Sequence, residues 1–299
     1  MKPCPLCGHP KPHYERTLNQ IDMVRCVSCS FVYVDLSVEE IFKANSCYDD
    51  AHKENYLSYQ TVLDDLWFRQ TALRLTNRFG TGRVLDIGCG NGLLLSKFKQ
   101  LGWECCGLDP SPWSGEFAQK YGFELIPSIL EECYSKIGTF DLVISSSTLE
   151  HIAEPIAHVR AVEKVLKERG TAYFCGIPNY GSVSIRLNVT NFYCNMPPGH
   201  VNYFTVKTVR RLLSASGISG NRIKIQTYGI PEVHRLYNGV NRFLKPREKS
   251  DARVTSQSRL HGGSAGGLSR CAYGTIIAIV YFLGRFAYLG DKLEVTFTK

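Results

Sequence analysis

Four residues within RVLDIGCGNG, spanning Arg83 to Gly92, propose a chemistry most directly: Asp86, Gly88, Gly90 and Gly92. An acid stands two positions before the first of three alternating glycines. Glycine carries the backbone through positive φ and lets a ligand lie against it with no Cβ in the way. The apolar run Val84-Leu85-Asp86-Ile87 reads as a short buried strand, and Leu93 to Leu101 resumes as an apolar helix. A strand that turns through glycines into a helix offers backbone N–H groups and a positive helix end to a ligand. The spacing is D-x-G-x-G-x-G, which differs from the G-x-G-x-x-G that sets a helix onto a dinucleotide pyrophosphate. A second carboxylate, Asp109, tops the next strand-like stretch, Glu104 to Leu108, where a ribose would hydrogen-bond.

The other clear pattern lies near residue 1. Four of the twelve cysteines follow C-x2-C-x18-C-x2-C: Cys4, Cys7, Cys26 and Cys29. Two such knuckles bring four thiolates onto one tetrahedral zinc, a closed and therefore structural site. Gly8 follows the first knuckle where positive φ is often needed, and Ser30 stands in the equivalent place after the second. Residues 1–36 hold few large apolar side chains, so their folding is expected to depend on the metal. Cys89, Cys105, Cys106, Cys133 and Cys175 sit in apolar or turn contexts and read as small packing residues. Cys47, Cys194 and Cys271 carry no pattern.

These residues must be positioned by larger elements. From Val84 onward strands and helices alternate, which predicts an α/β protein with a doubly wound sheet. Strands are expected at Val84–Ile87, Glu104–Leu108, Glu124–Pro127, Phe140–Ser145 and Thr171–Ile177, with later ones at Arg222–Tyr228 and Leu293–Thr298. Helices are expected at Leu93–Leu101, Ser114–Tyr121 and Ile156–Lys167. A further helix, Thr61–Phe79, would pack through Val62, Leu66, Leu73 and Leu75. The domain reading is a zinc ribbon at 1–36, a helical lid or linker at 37–80 and a cofactor-binding domain at 81–299. Within the last, 246–269 is rich in Gly, Ser and charge and reads as a mobile insertion. The apolar run 271–289 is interrupted by Arg285, and its uninterrupted part is short for a bilayer span. A helix packed on the sheet is expected there, with peripheral membrane contact as the alternative. A net charge of +8 over 299 residues is mild. The opening MKPCPLCGHP has no apolar signal core, which points to a cytoplasmic protein with reduced thiols.

Across Gly82 to about Gly229 the chain resembles the Rossmann-like (class I) S-adenosylmethionine-dependent methyltransferases. The resemblance implies a seven-stranded sheet with helices on both faces and a last strand inserted by a late antiparallel hairpin. It implies that Gly88, Cys89 and Gly90 run along the cofactor and that Asp86 orients the loop and the methionine end. Asp109 would accept hydrogen bonds from both ribose hydroxyls, and Pro110 and Ile129 would flank the adenine. The segment carrying Tyr48, Tyr56 and Tyr59 would lid the cofactor.

The stretch after the fourth strand of this domain bears on the acceptor. It lacks the D/N-P-P-Y/F motif of enzymes acting on base amines and the Pro-Cys of cytosine C5 enzymes. Leu149-Glu150-His151-Ile152, Pro155 and Pro178-Asn179 resemble the small-molecule branch. His151 is the first candidate general base, because its ordinary pKa suits proton removal near neutral pH; the alternative is a histidine that caps or packs the next helix. A Glu-His pair ligates metal in some relatives, but no fuller ligand cluster is legible here. Tyr180, Arg186, Tyr193, His200 and Tyr203 follow the fifth strand, at the sheet edge where α/β ligands bind, and are expected to form the acceptor pocket. P-P-G-H-x-N-Y-F-T resembles a stretch of zinc-ribbon methyltransferases associated with sugar and glycan pathways, and makes His200 the second candidate base. The leading expectation is methyl transfer to a small-molecule or glycan-type hydroxyl. The alternatives are an rRNA methyltransferase whose ribbon grips RNA, with salt-sensitive binding, and a zinc-dependent scaffold without catalysis. Residues 1–36 contain no Lys/Arg run, which opposes the first; the intact Asp86, Gly88, Gly90 and Asp109 oppose the second.

Overall fold

The computed structural model describes residues 1–45, 53–54, 57, 62–182, 185, 197–228 and 290–299. The chain opens with β1 (Pro12–Leu18), β2 (Ile21–Cys26) and β3 (Val32–Val34), then helices α1 (Val38–Asn45) and α2 (Val62–Phe79). Next come β4 (Arg83–Ile87), α3 (Leu93–Gln100), β5 (Glu104–Leu108), α4 (Ser114–Tyr121), β6 (Glu124–Ile126) and the short α5 (Leu130–Cys133). They are followed by β7 (Phe140–Ser146), α6 (Pro155–Val165) and β8 (Leu166–Pro178). The last elements are β9 (Asn202–Tyr203), α7 (Val206–Ala215), β10 (Ile223–Tyr228) and β11 (Lys292–Thr298).

Seven strands form the larger sheet in the order β10-β11-β8-β7-β4-β5-β6. β4 runs parallel to β5 and β7, and β7 to β8. The final strand β11 inserts antiparallel to both β8 and β10, as the resemblance implied. The central strands are apolar runs buried on both faces, as parallel strands covered by helices must be. Alternation divides their side chains between two cores. Val84, Leu142 and Ile144 pack with Ala72 and Leu75 of α2 and with Leu94, Leu95 and Phe98 of α3. Leu85, Ile87 and Val143 face α6 and α7 through Val159, Val162, Val209 and Leu212.

Three elements differ from expectation. The helix expected to reach Lys167 ends at Val165, and Leu166 already pairs with Phe140; the next pair is Leu142 with Thr171, so the intervening residues bulge out. Arg169 takes φ +66° there, and a Cβ on Gly170 would lie 2.8 Å from the Lys167 carbonyl oxygen. In α2, Leu66 and Leu73 are exposed, while Thr71, Ala72 and Leu75 are buried and Trp67, Phe68 and Phe79 pack beside them. The aromatic side chains, not the leucine spacing, set that helix's face. An ion pair holds it too: Arg74 Nη1 and Nη2 donate to the two Glu294 carboxylate oxygens on β11 at 3.0 and 3.2 Å. Tyr173 Oη donates to Glu294 Oε2 at 2.9 Å and accepts from Arg74 Nη2 at 2.7 Å. Helix α7 was not expected; Thr205 and Thr208 start it with a reciprocal capping box.

The smaller sheet runs β1-β2-β3-β9. Its fourth strand comes from the P-P-G-H-V-N-Y-F-T segment, with Val32 opposite Tyr203 and Tyr33 opposite Asn202. Phe31 and Phe204 rings meet at 5.1 Å, and Leu6, Val24 and Phe31 share one core with Val209 and Leu212. The expectations for Tyr48, Tyr56, Tyr59, Arg186, Tyr193, Cys47, Cys194, Cys271, 246–269 and 271–289 fall outside the described residues. No helix among the described residues is long and apolar enough to cross a membrane.

Candidate active site

At the carboxyl end of β4 the chain turns through Gly88, Gly90 and Gly92, with φ of +71°, +52° and +63°. The Gly88 N–H donates to the Leu108 carbonyl at 2.7 Å, which ties the loop to the end of β5. A Cβ on Gly88 would stand 2.6 Å from Thr148 Oγ1, so the position needs glycine for space as well as for φ. Thr148 Oγ1 itself donates to the Ile87 carbonyl at 3.1 Å. Gly92 then caps α3 with no side chain of its own, and Asn91 Oδ1 accepts the Leu93 N–H of the first turn at 3.2 Å.

Asp109, beyond β5, is buried; its Oδ2 accepts the Gly90 N–H and its Oδ1 the Ser111 N–H, both at 2.8 Å. Each oxygen keeps a further lone pair for a ligand. Asp86 is 3% exposed, and its Oδ1 has no hydrogen-bond partner among the described residues. Burial pushes the Asp86 carboxyl up to about 8, and the neighbouring Asp109 charge pushes the same way. Burial likewise holds the Cys89 thiol well above its ordinary range. Pro110 is exposed just past β5, and Ile129, half-buried, is the extended residue before α5.

β7 leads into a single 3-10 turn, Leu149–His151. Glu150 is 1% exposed, its Oε2 has no partner among the described residues, and burial raises its carboxyl to about 7. His151 Nδ1 lies 2.8 Å from the Gly199 carbonyl. A carbonyl only accepts, so Nδ1 carries the hydrogen and the neutral ring keeps its lone pair on Nε2. The His200 ring meets the His151 ring edge-on at 4.8 Å. Ligating atoms of Glu150, His151 and His200 all lie within 4.8 Å of one another. The expectation that no fuller cluster accompanies Glu150-His151 is thereby corrected: the third member arrives from a distant segment. Val201 N–H, donating to the Glu150 carbonyl at 2.8 Å, fixes that segment. So does Asn202 Nδ2, donating to the Leu149 and Ile152 carbonyls at 3.3 and 2.6 Å. Tyr180 and Tyr203 are packed together at 5.4 Å and buried with Met23, Val32 and Val34. Their rings therefore join the ribbon to the large domain, in place of the pocket-lining part expected of them.

Residues 59–219 match the family model described as a methyltransferase domain. The chain belongs to this methyltransferase family. A ubiquinone biosynthesis O-methyltransferase of Xanthomonas oryzae pv. oryzae (strain PXO99A) is 33% identical over 98 residues, 30% of this chain and 41% of the relative. One from Bordetella avium (strain 197N) is 31% identical over 116 residues, 36% of this chain and 46% of the relative. The chain thus spans less than half the length of these relatives. Among solved structures, a SAM dependent methyltransferase from Archaeoglobus fulgidus superposes with a TM-score of 0.50 at 19% identity, covering 79% of this chain and 94% of that one. The plantazolicin methyltransferase BamL, in complex with a triazolic desmethylPZN analog and SAH, gives 0.55 at 15% identity, covering 87% and 94%. These two likenesses concern the fold.

In this chain the four knuckle cysteines converge: Cys4 and Cys29 Sγ are 3.5 Å apart, as are Cys7 and Cys26, and all four lie within 4.8 Å. Zinc bound by four thiolates at about 2.3 Å sets sulfurs roughly 3.8 Å apart, so the donor set fits that ion. Gly8 and Ser30 close the knuckles with N–H donations to the Cys4 and Cys26 carbonyls at 2.8 and 2.9 Å. Ser30 adopts φ +63°, beside +68° at Gly8, which shows that the second knuckle makes the same turn without glycine.

Sequence reasoning missed Thr148, Asn202 and the Gly199 carbonyl as parts of this region. Only Asn202 carried a signal, as a polar residue inside the apolar stretch Val201–Phe204.

Proposed function

We propose that this methyltransferase moves the methyl group of S-adenosylmethionine to a hydroxyl of a small-molecule or sugar/glycan-type acceptor. The observation that carries the reading is the buried, unmatched Asp86 Oδ1 beside the Gly88–Gly90 turn and Asp109. A buried carboxylate oxygen without a donor is costly, and the ammonium at the cofactor's methionine end is a donor of the right charge. Gly88, Cys89 and Gly90 line the cofactor, Asp109 accepts from the ribose hydroxyls, and Pro110 and Ile129 flank the adenine. Each ribose bond to a charged acceptor is worth about 1.5–3 kcal/mol.

The sulfonium, when bound, supplies an already activated methyl group, so the chain's task is to hold two reactants in line. The acceptor hydroxyl ionises at the Glu150–His151–His200 cluster, two residues along from the Thr148 that touches the glycine loop. His151, with its lone pair on Nε2, is the first base, and His200 the second. The names of the ubiquinone biosynthesis O-methyltransferases support transfer to oxygen. Cys4, Cys7, Cys26 and Cys29 hold a structural zinc. The parts of the chain are a ribbon (1–36), a lid or linker (37–80) and the catalytic domain (81–299), in a reducing, cytoplasmic compartment.

The test is to incubate methyl-labelled S-adenosylmethionine with the protein and a fractionated extract of the source cells, with and without ribonuclease. Label in a ribonuclease-resistant metabolite, lipid or glycan supports the reading. Label that ribonuclease destroys replaces the acceptor class with RNA. An Asp109→Ala variant that binds S-adenosylmethionine as tightly as the wild type overturns the site assignment.

A further inference from the structure

We propose that His158 is a positioning residue for the cofactor's adenine: through Glu131 it fixes where the Ile129 turn stands against the base. The proposal rests on the reading above, in which Ile129 flanks the adenine, and deepens it by naming what holds that residue in place.

Three observations point to His158. The Ile129 turn has little structure of its own. It lies between β6, a strand of 3 residues at the end of the large sheet's order, and α5, a single turn of 4 residues. One helical turn does not stand without tertiary support. Leu130 and Cys133 are buried in the core, but apolar burial is non-directional. Direction comes from α6: His158 Nδ1 lies 2.7 Å from Glu131 Oε1, two positions beyond Ile129. A second tie, Lys164 Nζ to the Tyr134 hydroxyl at 3.3 Å, is exposed. Burial presses the Glu131 carboxyl upward, yet it sits below its ordinary value because the His158 hydrogen bond and charge outweigh burial. An ionised carboxylate only accepts, so Nδ1 carries the hydrogen, and such a bond is roughly twice as strong as a neutral one. Finally, the pair is kept at a cost. His158 is 1% exposed, and its Nε2 has no partner among the described residues. An unmatched buried polar atom is unfavourable, and an apolar side chain there would avoid it. The histidine is explained by what Nδ1 holds.

Dispersion contact with a flat base decays quickly with distance: a gap of about 0.5–1 Å forfeits a quarter to a half of it. A displacement of the Ile129 turn on that scale is felt at the base. It is not felt at the methionine end, where Asp86 and the glycine turn stand on β4. The ribose side borders the same loop, since the Asp109 N–H donates to the Ile126 carbonyl at 3.2 Å. Helix α6 begins at Pro155, shortly after the Leu149–His151 turn. One helix therefore braces the adenine side and leads out of the acceptor side. His158 itself is buried and acts through Glu131.

Calorimetric titration of the full chain tests this with two probes, S-adenosylmethionine and 5′-methylthioadenosine, which keeps base, ribose and sulfur and lacks the methionine end. Glu131→Ala and His158→Leu should each weaken both probes at least fivefold and by the same factor, because the loss lies at the base they share. The double variant should lose no more than either alone, since the two side chains act as one contact. His158→Asn, whose amide N–H can stand where Nδ1 does, should stay within about twofold of the wild type, a rescue that separates the hydrogen bond from packing. Glu131 is 29% exposed, so its alanine variant carries the test if His158→Leu does not fold. A lowered thermal midpoint with unchanged affinity for 5′-methylthioadenosine shows a merely structural pair and overturns the proposal. Ile129→Ala separates this inference from the reading beneath it. If it weakens both probes while the Glu131 and His158 variants do not, the positioning role is refuted and the adenine assignment stands. If Ile129→Ala binds both as tightly as the wild type, the assignment and the positioning role fall together.

Discussion

Replacing Asp86 by asparagine is expected to stabilise the cofactor-free protein at neutral pH while loosening its hold on S-adenosylmethionine. Asp86 is 3% exposed, and burial, reinforced by the Asp109 charge, moves its carboxyl from 3.8 to about 8. The folded chain therefore holds this proton more tightly than the unfolded one. The stability it contributes is complete below 3.8 and is lost as pH climbs through about 8. Relative to the unfolded chain, each pH unit in that window costs about 1.4 kcal/mol. At about pH 7 the cost approaches roughly 4 kcal/mol, and water reaching the carboxylate reduces it to about 2–4 kcal/mol. Asparagine has no proton to hold, so the variant's stability should be flat in this respect. Urea unfolding of both proteins between about pH 4 and 8 reads the difference, which should grow with pH in favour of the variant. Calorimetric titration with S-adenosylmethionine in buffers of different ionisation heat should show proton release by the wild type near pH 7 and none by Asp86→Asn. The reasoning fails if the wild type loses no more stability than the variant across the window and binding releases no proton.

Two further perturbations follow from the packing. Arg74→Ala strips a bidentate cation from the buried Glu294 on the inserted strand. Because Arg74 is itself partly exposed, the loss should be about 2–3 kcal/mol in urea unfolding, with Arg74→Lys recovering part; an effect under about 0.5 kcal/mol, the level of an ordinary surface change, contradicts the assignment. Stripping the ribbon's metal with a strong chelator, or Cys26→Ser, should speed hydrogen exchange at Asn202–Phe204 together with β2 and β3 and leave S-adenosylmethionine affinity within about threefold; exchange confined to residues 1–36 would show that β9 holds without the ribbon.

Local physics explains which parts were legible in the sequence. Strands buried on both faces spell themselves as apolar runs, so β4, β5 and β7 were found within a residue of their ends. The glycine turn was legible because positive φ and close approach each leave a residue type behind. Each cysteine knuckle was legible because C-x2-C is a local turn, closed by Gly8 in the first and Ser30 in the second, both at positive φ. The acceptor side was not legible in the same way. His151 and His200 were each named for their chemistry, but no spacing rule brings residue 200 beside residue 151. That contact depends on β9 pairing with β3 and on the Val201–Glu150 bond, both long-range. The same pairing buries Tyr180 and Tyr203 beside the small sheet, whereas Leu66 and Leu73 are exposed because the aromatic side chains set the face of α2. The start of α7 is hidden in the sequence because Thr205 closes the P-P-G-H-x-N-Y-F-T stretch and also caps the helix.

Val201 shows how the two halves of the site are joined. Its carbonyl accepts the Val34 N–H at 3.0 Å from the ribbon, and its N–H donates to the Glu150 carbonyl at 2.8 Å at the end of β7. Asn19 Nδ2, in the turn between β1 and β2, also reaches the Pro197 carbonyl at 2.9 Å. Asp86, Gly88 and Asp109 stand at the ends of β4 and β5 in the large sheet, whereas His200 directly precedes the segment whose strand β9 pairs with β3. The strands that carry the four-cysteine cluster therefore help to hold the Glu150–His151–His200 segment in place. On the proposed reading, disturbing that cluster would alter the acceptor side first, while the glycine turn after β4 keeps its own tie to β5 through the Gly88 N–H and the Leu108 carbonyl.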